Sequence, residues 1–311
     1  MKAVITGAAG FIGSHLSEAL LEDGHDIIGI DSFTPYYDPE IKRQNWARLI
    51  EFSSFTGVIG DLRQIDLQNV LDRADVVFHL AGQPGVRGSF GDGFRDYLEN
   101  NIQATARLLE SARTARVGKF LYASSSSVYG RVPVPMSEDG RTRPFSPYGV
   151  TKHAAESLVR VAHENFAMWT VSLRFFTVFG PRQRPDMAFT RFIHNIMSGR
   201  EIVVYGDGMQ TRDFTYVGDV VAAILAAAAK APAGSVYNVG GGHSETLRQS
   251  IRTMEEVIGR PARIRFVPAV PGDVPDTAAD IRRIREDLGW APATTLAEGI
   301  AEQVNALVIE R

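Results

Sequence analysis

Short apolar runs at residues 3–5, 26–30, 58–59, 76–78, 120–122 and 171–173 alternate with amphipathic stretches at 12–21, 94–115 and 148–166. Runs of this length without a polar face read as strands buried on both sides. Strands alternating with helices demand a parallel sheet, because parallel neighbours need a crossover long enough to hold a helix. Right-handed crossovers then give an α/β fold with a doubly wound sheet. Regularity fades after residue 180. Residues 180–185 and 205–208 are glycine- and proline-marked loops, and 268–275, with three prolines and a glycine, read as an extended loop. The expected division is a first domain over 1–180 and a smaller C-terminal lobe over 181–311. Strands at 214–216 and 236–239 are expected to return to the first domain.

Composition excludes whole chemistries. The chain has no cysteine, which removes disulfides, Cys-ligated zinc, iron–sulfur clusters and thiol catalysis. Its seven histidines show no metal-ligand spacing beside carboxylates, so no metal is expected. A net charge of −3 argues against a general nucleic-acid binder. No run approaches the roughly 18 apolar residues of a membrane span. The N-terminus enters a strand without a leader-like segment, so a soluble cytoplasmic protein is expected.

Gly7-Ala8-Ala9-Gly10-Phe11-Ile12-Gly13 lies between the first strand and the first helix. Glycines there permit a tight turn, close approach of backbone to a pyrophosphate, and close helix–strand packing. The helix start offers free N–H groups and a positive dipole end to an anion. Asp31, ending the second strand 18 residues past Gly13, suits the ribose hydroxyls of NAD and would repel a 2′-phosphate. Strand, glycine turn, helix and acid together predict a Rossmann site for NAD. Asp61-Leu62 after the third strand suits an adenine-edge contact, with a helix N-cap as the equal alternative for Asp61. Leu80-Ala81-Gly82-Gln83, after the fourth strand, lines a crevice at the sheet's carboxyl edge.

Ser146-Pro147-Tyr148-Gly149-Val150-Thr151-Lys152 opens a helix with an N-cap serine and an N1 proline. Tyr148 and Lys152 are four apart and share one face. A tyrosine at its usual pKa of about 10 is a poor base near neutrality. An ammonium alongside, plus a nicotinium cation, would favour phenolate, which can take a hydroxyl proton while hydride leaves the carbon. Spacing alone does not decide it, since a surface pair on a helix looks the same. Position does, because the pair follows the fifth strand beside the expected crevice. That strand ends in Ser124-Ser125-Ser126-Ser127, whose hydroxyls would point into the crevice.

The glycine turn, the serine run, Tyr148-x-x-x-Lys152 and Arg212-Asp213-Phe214 together resemble the extended short-chain dehydrogenase/reductase family of NAD-dependent sugar-nucleotide epimerases and dehydratases. The resemblance covers essentially the whole chain. It implies tightly held NAD, a nucleotide-sugar in the cleft, and a homodimer built on helices 94–115 and 148–166. It also implies Ser125 as the catalytic serine beside Tyr148 and Lys152. Gly7, Gly10, Phe11, Ile12, Gly13, Asp31, Lys42, Asp61, Leu62, Leu80, Ala81, Gln83, Asn101, Ser124, Tyr148, Lys152 and Phe176 would then hold the cofactor. Arg212 would clamp a diphosphate and Asp273 touch the nucleoside ribose.

Such enzymes pass hydride from sugar C4 to NAD, giving a 4-keto sugar. Dehydratases of the family place an Asp-Glu pair after the catalytic Ser/Thr. Ser126 and Ser127 stand there instead, which disfavours loss of water. The UDP-glucuronate decarboxylases place Glu where Ser127 stands, which disfavours decarboxylation. Epimerisation needs no further acid. Thr177, the 184–188 string Arg-Pro-Asp-Met-Ala and the segment from Tyr36 to Arg43 are similar to UDP-glucuronate 4-epimerases, which interconvert UDP-glucuronate and UDP-galacturonate. A hexuronate brings a carboxylate that Ser126, Ser127 and Thr177 can hydrogen-bond, with Arg184 or Arg87 balancing charge and Arg182 as a substitute. The 4-keto-uronate is a β-keto acid, so a held carboxylate also resists loss of carbon dioxide. UDP-glucose 4-epimerisation, then UDP-glucuronate decarboxylation, are the alternatives, and a silent NAD-sensing module is the one outside catalysis.

Overall fold

The computed structural model describes residues 1–269 and 272–309. Its strands are β1 (Lys2–Thr6), β2 (Asp26–Asp31), β3 (Phe55–Ile59), β4 (Val76–His79), β5 (Lys119–Ser125), β6 (Thr170–Phe175), β7 (Thr177–Phe179), β8 (Glu201–Tyr205), β9 (Thr211–Tyr216), β10 (Ser235–Val239), β11 (Ser244–Thr246) and β12 (Arg263–Val267). Seven of them form one parallel sheet in the order β3-β2-β1-β4-β5-β6-β10. The strand order reverses between β1 and β4, which opens a crevice at their carboxyl ends.

Both faces of the sheet are covered, as alternation along β1 shows. Ala3 and Ile5 join a core with Leu16 and Leu20 of helix Phe11–Glu22 and Val220 and Ile224 of helix Val217–Lys230. Val4 points the other way, into a core with Leu108 of helix Ala104–Thr114 and Ala155 and Val159 of helix Pro147–Phe166. A third core, around Phe189, Phe214, Ile202 and Ile251, fills the C-terminal region.

Three expectations are corrected. Strand β3 is not buried on both faces, because it is the sheet's edge and Ile59 is exposed. Strand β9, which holds 214–216, does not return to the large sheet. It pairs with β7 and β11 instead, and Asp213 at its middle accepts hydrogen bonds from Gly241 and Ala279. Strand β10, which holds 236–239, does join the large sheet beside β6. The stretch 94–115 is not one continuous α-helix, since a π-turn at Leu98–Gln103 interrupts it. In the expected loop at 268–275, Val270 and Pro271 lie outside the described residues. Among the described residues no helix is long and apolar enough to cross a membrane.

Candidate active site

The glycine turn is shaped by contact. Gly7 has φ 73°, and a Cβ there would lie 2.9 Å from the Ala81 amide nitrogen. A Cβ on Gly13 would lie 2.0 Å from the Gly7 carbonyl oxygen, so the helix can approach the strand only through glycine. Gly10 caps helix Phe11–Glu22 without any side-chain bond, leaving the first amides of the helix to the cleft. Asp31 is buried and braces the turn, accepting from the amides of Ala9 at 3.1 Å and Phe33 at 2.8 Å. Burial pushes its carboxyl pKa up, and the Lys42 ammonium opposes that rise. A backbone cradle, an uncapped helix start and a carboxylate at the strand end fit a dinucleotide.

Helix Pro147–Phe166 begins as expected, with Ser146 Oγ accepting from the Gly149 amide. Tyr148 and Lys152 both line the cleft. Burial dominates the electrostatics of the pair in the free chain. Lys152 Nζ donates to the Ala123 carbonyl and lies 4.4 Å from the centroid of the Tyr122 ring. Burial drives its pKa down to about 7, opposed by the Glu156 charge. Burial also raises the Tyr148 phenol, opposed by a hydrogen bond with Ser125 and by the Arg184 charge. In the free chain burial outweighs these charges, so the nicotinium cation expected beside the ammonium is the charge left to favour phenolate. Ser125, ending β5, also accepts from the Ser127 amide at 3.1 Å.

Asn101 sits on the π-turn and is 2% exposed. Its side chain accepts from the Gln83 amide at 2.6 Å and donates to the Gln83 carbonyl and Thr151 hydroxyl, each at 3.0 Å. Thr151 in turn donates to the Tyr148 carbonyl. The π-turn thus ties the crevice loop to the first turn of the tyrosine helix, the kind of place where such turns occur.

The structure gathers the expected residues into a cleft of about 440 Å3. Gly7, Gly10, Phe11, Ile12, Gly13, Asp31, Lys42, Asp61, Leu62, Leu80, Ala81, Gln83, Asn101, Ser124, Ser125, Ser126, Ser127, Tyr148, Lys152, Phe176, Thr177 and Arg184 all line it. Arg184 grips Asp186 through Nε and Nη2, at 2.9 and 3.0 Å. Arg182 does not substitute for it, because its guanidinium turns to Glu18 at 2.5 Å and His15 at 2.8 Å. Arg87 is not beside the serines. It bonds Asp273 at 3.0 Å and stacks on Tyr205, in an adjoining cavity of about 270 Å3 that shares Tyr36, Gly85 and Val86 with the cleft. Arg212 lines neither cavity. It donates to the carbonyls of Thr211 and Pro275, with Asp273 and Asp276 near enough to act on its charge.

Asp61 is not a helix N-cap, since Asp66 caps helix Leu67–Val70. Asp61 grips Arg63, which also pairs with Glu99. Sequence reading passed over Arg63, and likewise Glu156 and Arg174, which form a buried pair beneath the serines at 2.6 Å. For Glu156 a signal existed, since it continues the four-residue spacing of Tyr148 and Lys152. Tyr129 donates to Asn238 Oδ1 and accepts from Arg174, so it packs rather than serving the cleft.

Comparison with known proteins agrees with this geometry. Residues 3–240 match the NAD dependent epimerase/dehydratase family. The crystal structure of UDP-glucuronic acid 4-epimerase from Bacillus cereus, in complex with UDP-glucuronic acid and NAD, superposes with a TM-score of 0.97 at 41% identity and covers 100% of both chains. The uncharacterized UDP-glucose epimerase YtcB of Bacillus subtilis (strain 168) is 43% identical over 98% of this chain and 97% of its own. The UDP-glucuronate 4-epimerase of Thermodesulfobacterium geofontis (strain OPF15) is 34% identical over 97% of this chain and 94% of its own. By fold, glycine turn and matched length, the chain belongs to the NAD-dependent epimerase/dehydratase family.

Proposed function

We propose that this chain epimerises UDP-glucuronate and UDP-galacturonate at C4. The observation that carries the reading is Arg184, which lines the cleft together with Ser126, Ser127 and Thr177 and lies near enough to Tyr148 to act on its charge. A guanidinium and three hydroxyls lining one cleft match a hexuronate carboxylate. Gly7 to Gly13 and Asp31 would hold NAD, with Lys42 beside Asp31. The chemistry NAD supplies when bound is reversible hydride acceptance, with a positive charge that favours phenolate.

The chain's own residues manage the proton. Tyr148 Oη takes it from the sugar hydroxyl and gives it back to the inverted one, with Ser125 as hydrogen-bond partner. Lys152 places positive charge under the crevice. The serine run carries no acid that would drive loss of water. Arg87 and Asp273 would receive the nucleoside diphosphate in the adjoining cavity, with Arg212 as a nearby positive charge outside its lining. We also infer a homodimer through helices Ala104–Thr114 and Pro147–Phe166, since Val150, Val161 and Phe166 of the latter stand exposed.

One observation favours UDP-glucose as a second substrate. Arg184 is already matched by Asp186, so the pair is close to neutral. Incubation of the pure protein with UDP-glucuronate and with UDP-glucose, followed by product identification, separates the two. UDP-galacturonate is the expected product. UDP-xylose with carbon dioxide, or turnover of UDP-glucose alone, would reject the assignment.

A further inference from the structure

We propose that Glu156 is a positioning residue for the Tyr148–Lys152 pair: its carboxylate fixes the end of β5 against the helix and keeps a negative charge beside the lysine. The inference rests on the reading of Tyr148 and Lys152 as the reacting pair. Helix Pro147–Phe166 places Tyr148, Lys152 and Glu156 at four-residue intervals, on one stripe. Glu156 is 6% exposed. Its Oε2 accepts from Ser124 Oγ at 2.5 Å, and its Oε1 receives Arg174 Nη2 at 2.6 Å. Ser124 is the middle of three consecutive residues with distinct duties. Ala123 before it accepts the Lys152 ammonium, and Ser125 after it hydrogen-bonds Tyr148. One carboxylate therefore pins the segment that meets both members of the pair.

Arg174 is itself held. Its Nη1 donates to the Tyr129 hydroxyl at 2.8 Å and to the Glu138 carbonyl at 3.3 Å. A buried ion pair has no general advantage in stability over a packed apolar pair. What this pair adds is a third partner, Ser124, at the edge of the cleft.

The charges around Lys152 make the effect readable. Its own helix offers Tyr148 and Glu156. From β5 come the Tyr122 ring and Ser124, and from β4 comes His79, held neutral by burial. Of these, Glu156 is the anion that opposes burial of the ammonium. Glu156 in turn faces Arg174 of β6, Ser124 and Tyr122 of β5, and Lys152.

The chain has only five lysines, so Lys152 can be followed by NMR of 13Cε-labelled lysine, assigned by loss of its signal in Lys152→Met. Wild type is compared with Glu156→Gln and with Glu156→Gln/Arg174→Met, which removes both charges of the Glu156–Arg174 pair should the single variant fold poorly. The Lys152 midpoint is expected to fall by about one pH unit in both, a tenfold change in the ammonium-to-amine ratio. The alkaline limb of kcat moves with it, so activity lost at pH 8 returns in part at pH 6.5. An unmoved midpoint, or an equal loss of activity at every pH, overturns the proposal. The titration needs no turnover, so a failed substrate assignment would show as absent product while the Lys152 shift remained.

Discussion

In the proposed function Asp186 sets how strongly Arg184 selects a carboxylate, and the size of the effect follows from charge geometry. A substrate carboxylate about 4 Å from the guanidinium gains about 4 kcal/mol at an effective dielectric of about 20. Asp186, at about 7 Å from the same carboxylate, returns about 2.4 kcal/mol of repulsion. The net is about 1.8 kcal/mol, a factor of about 20. Arg184→Met alone leaves Asp186, which lines the adjoining cavity, without its cation. It should cost UDP-glucuronate about 4 kcal/mol, or about a thousandfold in kcat/KM. Arg184→Met/Asp186→Leu removes both charges and should cost only about 20-fold, so the second substitution recovers about 50-fold. UDP-glucose, with no charge at C6, is the control, because any effect of Arg184 on Tyr148 strikes both substrates alike. The assay is steady-state kcat/KM for each substrate with each variant. Parallel losses for the two sugars, or no recovery in the double variant, would refute carboxylate recognition at Arg184.

Further predictions concern cofactor and stability. Gly13→Ala should abolish NAD retention, because its Cβ would sit 2.0 Å from the Gly7 carbonyl oxygen; bound NAD in the purified variant checks it. Lys152→Met should stop turnover yet stabilise the fold relative to wild type below pH 7. The folded-state pKa of Lys152 is depressed to about 7, so the cost of burying its charge is full below that and fades toward 10.5. Urea unfolding of both proteins across that range measures the difference. His79, buried between Thr6 and Thr105 at 2.8 Å from each hydroxyl, is pushed down to about 3. Its contribution to stability is therefore complete above about pH 6.5 and is lost as pH falls toward 3, and His79→Gln should flatten that acid slope.

Much of this architecture could be read from residue order because the strands that frame the crevice advertise themselves. Residues 3–5, 76–78 and 120–122 are apolar on both faces, and only a sheet covered on both sides accepts them. Tyr148 and Lys152 are legible because their four-residue spacing opens the helix that follows the fifth strand, beside the crevice. What escaped depends on contacts between distant segments. The π-turn at Leu98–Gln103 fits a hydrogen-bond set that Asn101 makes with Gln83 and Thr151, which no local pattern encodes. Arg182 and Arg184 are chemically equal in sequence, yet Glu18 of the first helix claims one and the cleft receives the other. Strand β9 joins β7 and β11 in the smaller sheet, and the hydrogen bonds Asp213 accepts from Gly241 and Ala279 hold it there, contacts no local pattern encodes. How deeply Tyr148 and Lys152 are buried is likewise set by distant segments, and desolvation is the largest influence on both in the free chain.

The most direct measurement follows a single hydrogen. UDP-glucuronate carrying deuterium at C4 is incubated with the enzyme in ordinary water, and recovered UDP-galacturonate is weighed by mass spectrometry. Retention of the label at C4 of the inverted sugar is the predicted result, since the hydride leaves and returns without meeting solvent. Label washed into water, with inversion still occurring, would contradict the account.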